Sequence, residues 1–305
     1  MVEIQSLTVF NELMRCRSIR QAADALNVSP TAIARQLDKL EHLFGAALVE
    51  RNPRGIRLTA AGEVLAERSL SIARELSEVE QIIDDLRGLQ RGSVSLHVNG
   101  AASSAILAPA LAEFSERYPA ITIEVTVTSA QAALDAVVNG LTDLSVTMFA
   151  TPESRTETRF RAPIRHEAIM SPNHPLAKLD EITLQALVEH PLALPDQTFG
   201  VRRAFDARLR AADITRNETT FTTSSLELQK ELARRETAVL ILPEMTVQRE
   251  IDAGSLVMRP LAAASRIETH IEMNRSVAGQ RSFAAKRMSD FLERFLQAEF
   301  YGRNN

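Results

Sequence analysis

Two helix-starting signals, eleven residues apart near the N-terminus, constrain the fold of this chain more than any other feature. Ser18 precedes Ile19–Leu26, and Gln21 follows three residues later. This Ser-x-x-Gln capping box satisfies backbone N–H groups that a helix start leaves without partners. Ser29 then precedes Pro30, and proline costs little at a first helical position because its missing N–H had no partner there. The helix between the two signals is short, about Ile19 to Leu26, and its small Ala22 and Ala23 let another helix come close. Asn27 suits the left-handed backbone that stops it, and Val28 is expected to plug the turn from inside. Upstream, Ile4, Leu7, Phe10 (or Val9), Leu13 and Met14 recur at helical spacing over residues 3–14. Downstream, Ile33, Leu37, Leu40 and Phe44 make the apolar stripe of a helix over 31–44, ended by Gly45. Thr31, Arg35, Gln36 and Lys39 face outward on that helix. Leu48-Val49 and Ile56-Arg57-Leu58 bracket Asn52-Pro53-Arg54-Gly55, which reads as two short strands round a turn. The segment 1–58 is therefore a winged helix-turn-helix.

From Thr59 no proline occurs before Pro109. Leu65, Ile72, Val79 and Leu86 recur every seven residues with Leu76 and Ile83 between them, the 3-4 spacing of a coiled-coil seam. A helix over 59–89 would be roughly 45 Å long. The polar residues Glu67, Arg68, Arg74, Glu75, Glu78 and Gln81 flank the seam and favour a partner chain over a core position. Beyond Gly88 and Gly92 the pattern alternates: strand 94–98, helix 106–118, strand 121–127, helix 130–139, strand 143–148. Such βαβαβ order signals a mainly parallel sheet. A second unit follows with strand 192–194, helix 201–212, strand 219–222, helix 224–235 and strand 239–242, and a closing helix spans 282–300. The body thus has two similar α/β halves with a cleft between them.

Composition sets the limits. Over 305 residues, 45% are hydrophobic and 24% charged, as in ordinary globular proteins. No apolar run approaches the ~18 residues of a membrane span. The start MVEIQSLTVF lacks a basic segment before a long apolar stretch, so it does not read as a signal peptide, and Cys16 is the single cysteine. A cytoplasmic location is expected. Net charge is −4, but residues 1–58 hold eight Lys/Arg against six Asp/Glu, leaving 27 against 33 elsewhere. A slightly basic head on an acidic body fits a nucleic-acid-contacting module.

With these residues placed, the chain resembles the LysR-type transcriptional regulators. The resemblance is carried by Ser18-x-x-Gln21-Ala22-Ala23-x-x-Leu26-x-Val28-Ser29-x-x-Ala32-Ile33-x-Arg35-Gln36-Leu37-x-x-Leu40-Glu41. It continues through Gly45-x-x-Leu48-Val49-x-Arg51 and Leu58-Thr59-x-Ala61-Gly62. It implies a multidomain protein: an all-α winged helix-turn-helix (1–58), a linker and dimerisation helix (59–89) and an α/β regulatory domain (92–305). It further implies that this domain comprises two Rossmann-like, periplasmic-binding-protein-like subdomains, about 92–162 with 267–305, and 163–266. The family binds a small effector between them and forms dimers or tetramers. Two departures stand out. Pro30 and Ala34 replace family side chains that reach DNA, so base preference should differ or rest more on phosphates and shape. Glu236-Thr237-Ala238 replaces a family Gly-x-Gly ahead of Leu242-Pro243, which predicts a reshaped loop.

A recognition helix reads base edges in the major groove near its N-terminus. Ser29, Pro30, Thr31, Ala32, Arg35, Gln36 and Lys39 fall in this position, with Arg35 suited to guanine or phosphate and Gln36 to adenine. Ser18 and Arg20 suit the backbone, and Arg51, Arg54 and Arg57 suit phosphates or the minor groove. Pairing through Leu65, Ile72, Leu76, Val79, Ile83 and Leu86 would set the interval between two half-sites. RNA polymerase is a further candidate partner.

Ligands in open α/β sheets sit at carboxyl ends of strands, often on helix N-termini. That rule selects Ala102, Ser103 and Ser104, then Thr147, then Thr198, Phe199, Gly200 and Arg202, and finally Thr223 and Ser224. Hydroxyls, N–H groups and one arginine suit a carboxylate-bearing metabolite. No cofactor, metal or catalytic residue is expected. An enzyme lacks its motifs here: there is no Gly-x-Ser-x-Gly, Gly-x-Gly-x-x-Gly or Walker loop, and the six histidines never fall at i, i+3 or i+4. A periplasmic solute-binding protein would fit the body but not the head.

Overall fold

A computed structural model describes residues 4–52, 55–86, 91–100, 106–148, 153–214, 221–277 and 282–302. The chain divides into two units, residues 1–89 with 139–141, and residues 90–138 with 142–305.

In the first unit, α1 (Ile4–Cys16), α2 (Ile19–Ala25) and α3 (Pro30–Phe44) pack round Leu7, Phe10, Leu13, Ala22, Ala23, Ile33, Leu37 and Leu40, all buried. Both serine caps form: Ser18 Oγ accepts from Gln21 N at 3.4 Å and Ser29 Oγ from Ala32 N at 3.2 Å. Asn27 ends α2 in left-handed backbone (φ 52°) and Gly45 ends α3 at φ 63°. Two side chains assigned to the interior are not there: Val28 is 39% and Phe44 48% exposed. The turn is closed instead by its own backbone, with Val28 N bonded to Ala23 O at 2.9 Å.

The wing, β1 (Val49–Asn52) antiparallel to β2 (Gly55–Leu58), is anchored by one carboxylate. Glu41 on α3 accepts from Leu48 N at 2.7 Å and Val49 N at 3.3 Å. Thr59 then caps α4 (Ala60–Leu86), accepting from Gly62 N at 3.1 Å while donating to Ala47 O at 2.6 Å. Gly62 lies so close to the wing that a Cβ there would stand 2.0 Å from Leu48 O. Leu65, expected on the dimer seam, is only 7% exposed and belongs to the core of this unit. The helix lies against α1 at that level, and Ser69 donates to Asn11. Farther along, Ile72, Val79, Ile83 and Leu86 are exposed and Leu76 is half-buried. Residues 87–89 of the expected helix fall outside the described residues.

In the second unit, β3 (Gly92–Asn99) pairs in parallel with β4 (Ile121–Thr128) and β5 (Leu144–Met148), linked by α5 (Ala108–Arg117) and α6 (Ala130–Val138). Two long strands that the alternation pattern missed complete this sheet. These are β6 (Thr156–Met170), and β11 (Ile267–Ser276), which runs antiparallel to both β5 and β6. Beyond His166, β6 leaves β11 and pairs with β9 (Leu240–Leu242) and β10 (Val257–Arg259). This far end of β6 is followed by a short turn of helix over Pro175–Lys178.

The second half adds α7 (Leu184–Val188), β7 (Ala193–Leu194), α8 (Gly200–Ala211), β8 (Phe221–Thr222), α9 (Leu226–Arg234) and α10 (Gln248–Asp252). β7 and β8 are parallel. One apolar core, with Phe114, Leu96, Val146 and Leu292, lies under α11 (Phe283–Tyr301); a separate one, with Phe205, Leu187, Leu194 and Ile241, fills the other half. No described helix is long and apolar enough to cross a membrane.

The contact between Gly62 and the Leu48 carbonyl gives a direct test. Gly62→Ala forces backbone to shift, and overpacking of this kind costs about 1–3 kcal/mol. The first unit should melt earlier by circular dichroism while the second unit keeps its transition.

Candidate functional site

The first candidate surface is built by the caps. Ser29 starts α3 so that Thr31, Arg35 and Lys39 lie exposed along its first three turns, with Ala32 half-buried beside them. Ser18 and Ser29 both spend their oxygens on capping, and Arg20 is exposed in the first turn of α2. Arg57 is exposed on the wing, where Arg51 stands opposite Ile56. Arg54 lies outside the described residues. Gln36 departs from its expected place. It is 6% exposed, receives a hydrogen bond from Ser6 Oγ at 2.7 Å and donates to Gln5 Oε1 at 3.4 Å. Its position between Ile33 and Leu37 on α3 turns it toward α1, so it joins two helices rather than facing outward. Near the end of α1, burial and a hydrogen bond to Glu12 push the Cys16 thiol up, which does not favour a reactive thiolate.

The second candidate site is a cavity of about 380 Å³ in the second unit. Carboxyl ends of strands supply Asn99, Val127, Thr128, Met148 and Leu242 to its wall. Three helix starts supply Ser129-Ala130, Phe199-Gly200-Val201 and Ser224 with Leu226. His166, Pro195, Gln229 and Pro243 complete the polar and ring surfaces. Asn99 Oδ1 accepts from Met148 N at 3.1 Å and so ties the ends of β3 and β5 together. Gln229 is held by donating to Thr223 O at 2.7 Å. Ser129 and Ser225 cap α6 and α9, accepting from Ala132 N and Leu228 N, whereas α8 starts with no side-chain cap.

The sequence-selected residues divide. Phe199, Gly200 and Ser224 line the cavity. Ala102, Ser103 and Ser104 lie outside the described residues. Thr147 is fully buried within β5 and is not part of the wall, because alternation along a strand turns it away from Met148. Thr198 is exposed and bonded to Asp196. Thr223 accepts from Ser225 N at the start of α9. Arg202 is spent internally, donating to both Asp206 oxygens at 2.9–3.0 Å and to Pro195 O at 3.3 Å. The missed wall residues Val127 to Ala130 and Leu242-Pro243 follow the same strand-end rule as those selected. His166 needed β6 to be recognised as a strand first. The departure at Glu236 is accommodated locally: its backbone is left-handed (φ 60°), and its carboxylate accepts from Asn173 Nδ2 at 2.8 Å.

The cavity is electrostatically quiet. Among the described residues of its wall none is Asp, Glu, Lys or Arg. A helix N-terminus favours an anion by only about 0.3–1 kcal/mol. Removing an unpaired carboxylate from water costs several kcal/mol even after relaxation. His166 is 3% exposed, with Nε2 3.0 Å from Thr269 Oγ1, and burial pushes its pKa down to about 3.

Comparison with known proteins agrees with this architecture. Residues 4–63 match the bacterial regulatory helix-turn-helix protein model, lysR family, and residues 87–297 match the LysR substrate binding domain. The chain belongs to the LysR family. It is a DNA-binding transcription regulator with an effector-binding domain, and the relatives it resembles are named as regulators rather than enzymes. The HTH-type transcriptional activator CmpR of Synechocystis is 28% identical over 205 residues, 67% of this chain and 66% of that one. The regulator BbuR of Bordetella bronchiseptica is 25% identical, over 86% of this chain and 81% of its own. Among solved structures, CbnR, a LysR family regulator, superposes with TM-score 0.71 at 18% identity, covering 96% of this chain and 99% of that one. A full-length OxyR variant of Pseudomonas aeruginosa gives TM-score 0.67 at 18% identity, covering 97% and 95%.

His166 makes the stability of this LysR-type regulator pH-dependent. Above its ordinary value of 6.5 both folded and unfolded chains hold it neutral. Below 6.5 the unfolded chain takes up a proton that the folded chain refuses until about 3, so stability is lost as pH falls through that window. His166→Gln should flatten the slope by up to about 1.4 kcal/mol per pH unit, measured by urea denaturation between pH 6.5 and 4.5.

Proposed function

We propose that this LysR-type regulator binds an operator as a dimer through Thr31, Ala32, Arg35 and Lys39 of α3, with Ser18, Arg20 and the wing arginines Arg51, Arg54 and Arg57 on the DNA backbone. A small effector in the regulatory cavity sets its activity. The observation that carries the reading is the exposed arginine and threonine on the first turns of a serine-capped helix beside a basic wing. The neighbour CbnR was solved in complex with its target DNA, which supports the same use of the domain here. Ser29 and Pro30 fix the start of α3 and thereby the placement of Thr31, Arg35 and Lys39 on its exposed first turns. Gln36 positions α3 against α1. With Pro30 and Ala34 in place of longer polar side chains, fewer groups reach base edges, and affinity leans on phosphates and groove shape.

The dimer forms through Ile72, Leu76, Val79, Ile83 and Leu86 along α4, and Leu65 supports that helix from within its own unit. This assignment supports an interrupted palindromic operator. The effector contacts Phe199, Gly200 and Ser224, together with Asn99, Ser129, His166 and Gln229. The protein acts in the cytoplasm on promoter DNA, with RNA polymerase as a further partner.

Two experiments test these roles. Arg35→Ala should weaken binding of a fragment selected from genomic DNA by about 5- to 150-fold, the range for one good base contact. Gln36→Ala should lower the melting point of the first unit and leave base preference unchanged. Fluorescence anisotropy with systematically mutated fragments separates the two. The double substitution Val79→Glu with Ile83→Glu should convert the dimer to monomer in sedimentation velocity without unfolding α4, since both side chains are exposed within one chain.

A further inference from the structure

We propose that the cavity of the regulatory unit takes an uncharged, ring-sized molecule that is apolar over most of its surface and carries a hydrogen-bond acceptor at one end. The inference rests on the assignment of the effector to this cavity and names the class of molecule that fits it. The size is set by the volume of about 380 Å³. The apolar body follows from Val127, Met148, Phe199, Val201, Leu226 and Leu242 on the wall.

The absence of charge on the ligand follows from what surrounds it. No described wall residue is ionised: His166 is buried and neutral, and Asp, Glu, Lys and Arg do not occur there. The stretches next to wall residues in sequence, Ala101-Ala102-Ser103-Ser104-Ala105 and Phe149-Ala150-Thr151-Pro152, also contain no ionisable side chain. Arg202, in the first turn of α8, has its guanidinium on the Asp206 carboxylate and the Pro195 carbonyl. Of the three helix starts at the wall, those of α6 and α9 already give an N–H to Ser129 and Ser225. The uncapped start of α8 at Gly200-Val201 remains. Even together, these termini are too weak to offset the desolvation of a carboxylate, and the uncapped start of α8 suits a carbonyl-type acceptor that keeps no charge.

The full-length chain is titrated calorimetrically at pH 7.5 with two probes of one shape, benzamide and benzoate. Benzamide should bind at least ten-fold more tightly than benzoate. Val201→Trp, which fills the cavity, should abolish benzamide binding. Ser224→Arg, which adds a guanidinium at an exposed position on the wall, should reverse the preference toward benzoate. Circular dichroism confirms that each variant folds, and the exposed Ser224→Arg variant preserves the test if Val201→Trp does not. Benzoate binding as tightly as benzamide, yet lost in Val201→Trp, would overturn the uncharged class and leave the cavity as the effector site. Binding that survives Val201→Trp unchanged would instead overturn the placement of the effector. Failure of both probes to bind at millimolar concentration would overturn the ring-sized apolar class.

Discussion

The pairing of β6 with β11 holds the regulatory unit together, because β6 continues past it into the second half. From Ser276 opposite Thr156 to Ile267 opposite His166 the two strands run antiparallel, with one register shift between Met273 and Asn274. Past His166, the last residues of β6 pair with β9 and β10 instead. Each half therefore keeps its own apolar core while sharing a strand, and the cavity opens where that strand changes partners. Burial at this junction explains why His166 is both a wall residue and a group that resists protonation. The surrounding helix starts provide N–H donors, and the strand ends provide apolar side chains. This division of labour gives a site with direction and, among its described residues, no Asp, Glu, Lys or Arg.

In the N-terminal unit the corresponding constraint is the approach of α4 to the wing. Glu41, Thr59 and Gly62 act together: a carboxylate organises the backbone at Leu48 and Val49, a threonine caps the helix, and a glycine allows the helix to touch the Leu48 carbonyl. These three residues fix the direction in which α4 leaves the wing. Leu65 and Ser69 then bind the base of α4 to the same core. The apolar residues left exposed farther along are those with no partner inside their own unit, which is why the proposed pairing surface begins at Ile72 rather than Leu65.

Much of this was legible in the residues. The helix-turn-helix, the wing and the long helix came from caps, a proline, a glycine and a heptad, all local signals whose physical cause lies within a few residues of chain. The first three strands of the regulatory sheet came from their alternation with helices. What the pattern missed were β6, β10 and β11, antiparallel strands between long connections, where no crossover helix announces the strand.

The sequence by itself determined the family, the order of the two units and the start of α3 at Ser29, because capping and amphipathic spacing act over one or two turns. Only the tertiary structure decided that Gln36 turns to Ser6, that Leu65 belongs to the interior and that His166 lines the cavity. In each of those cases the outcome depends on a partner in another element or on which face of an element is covered. The same side chain serves as contact, core or counter-ion according to what packs against it, and residue type alone does not encode that neighbour.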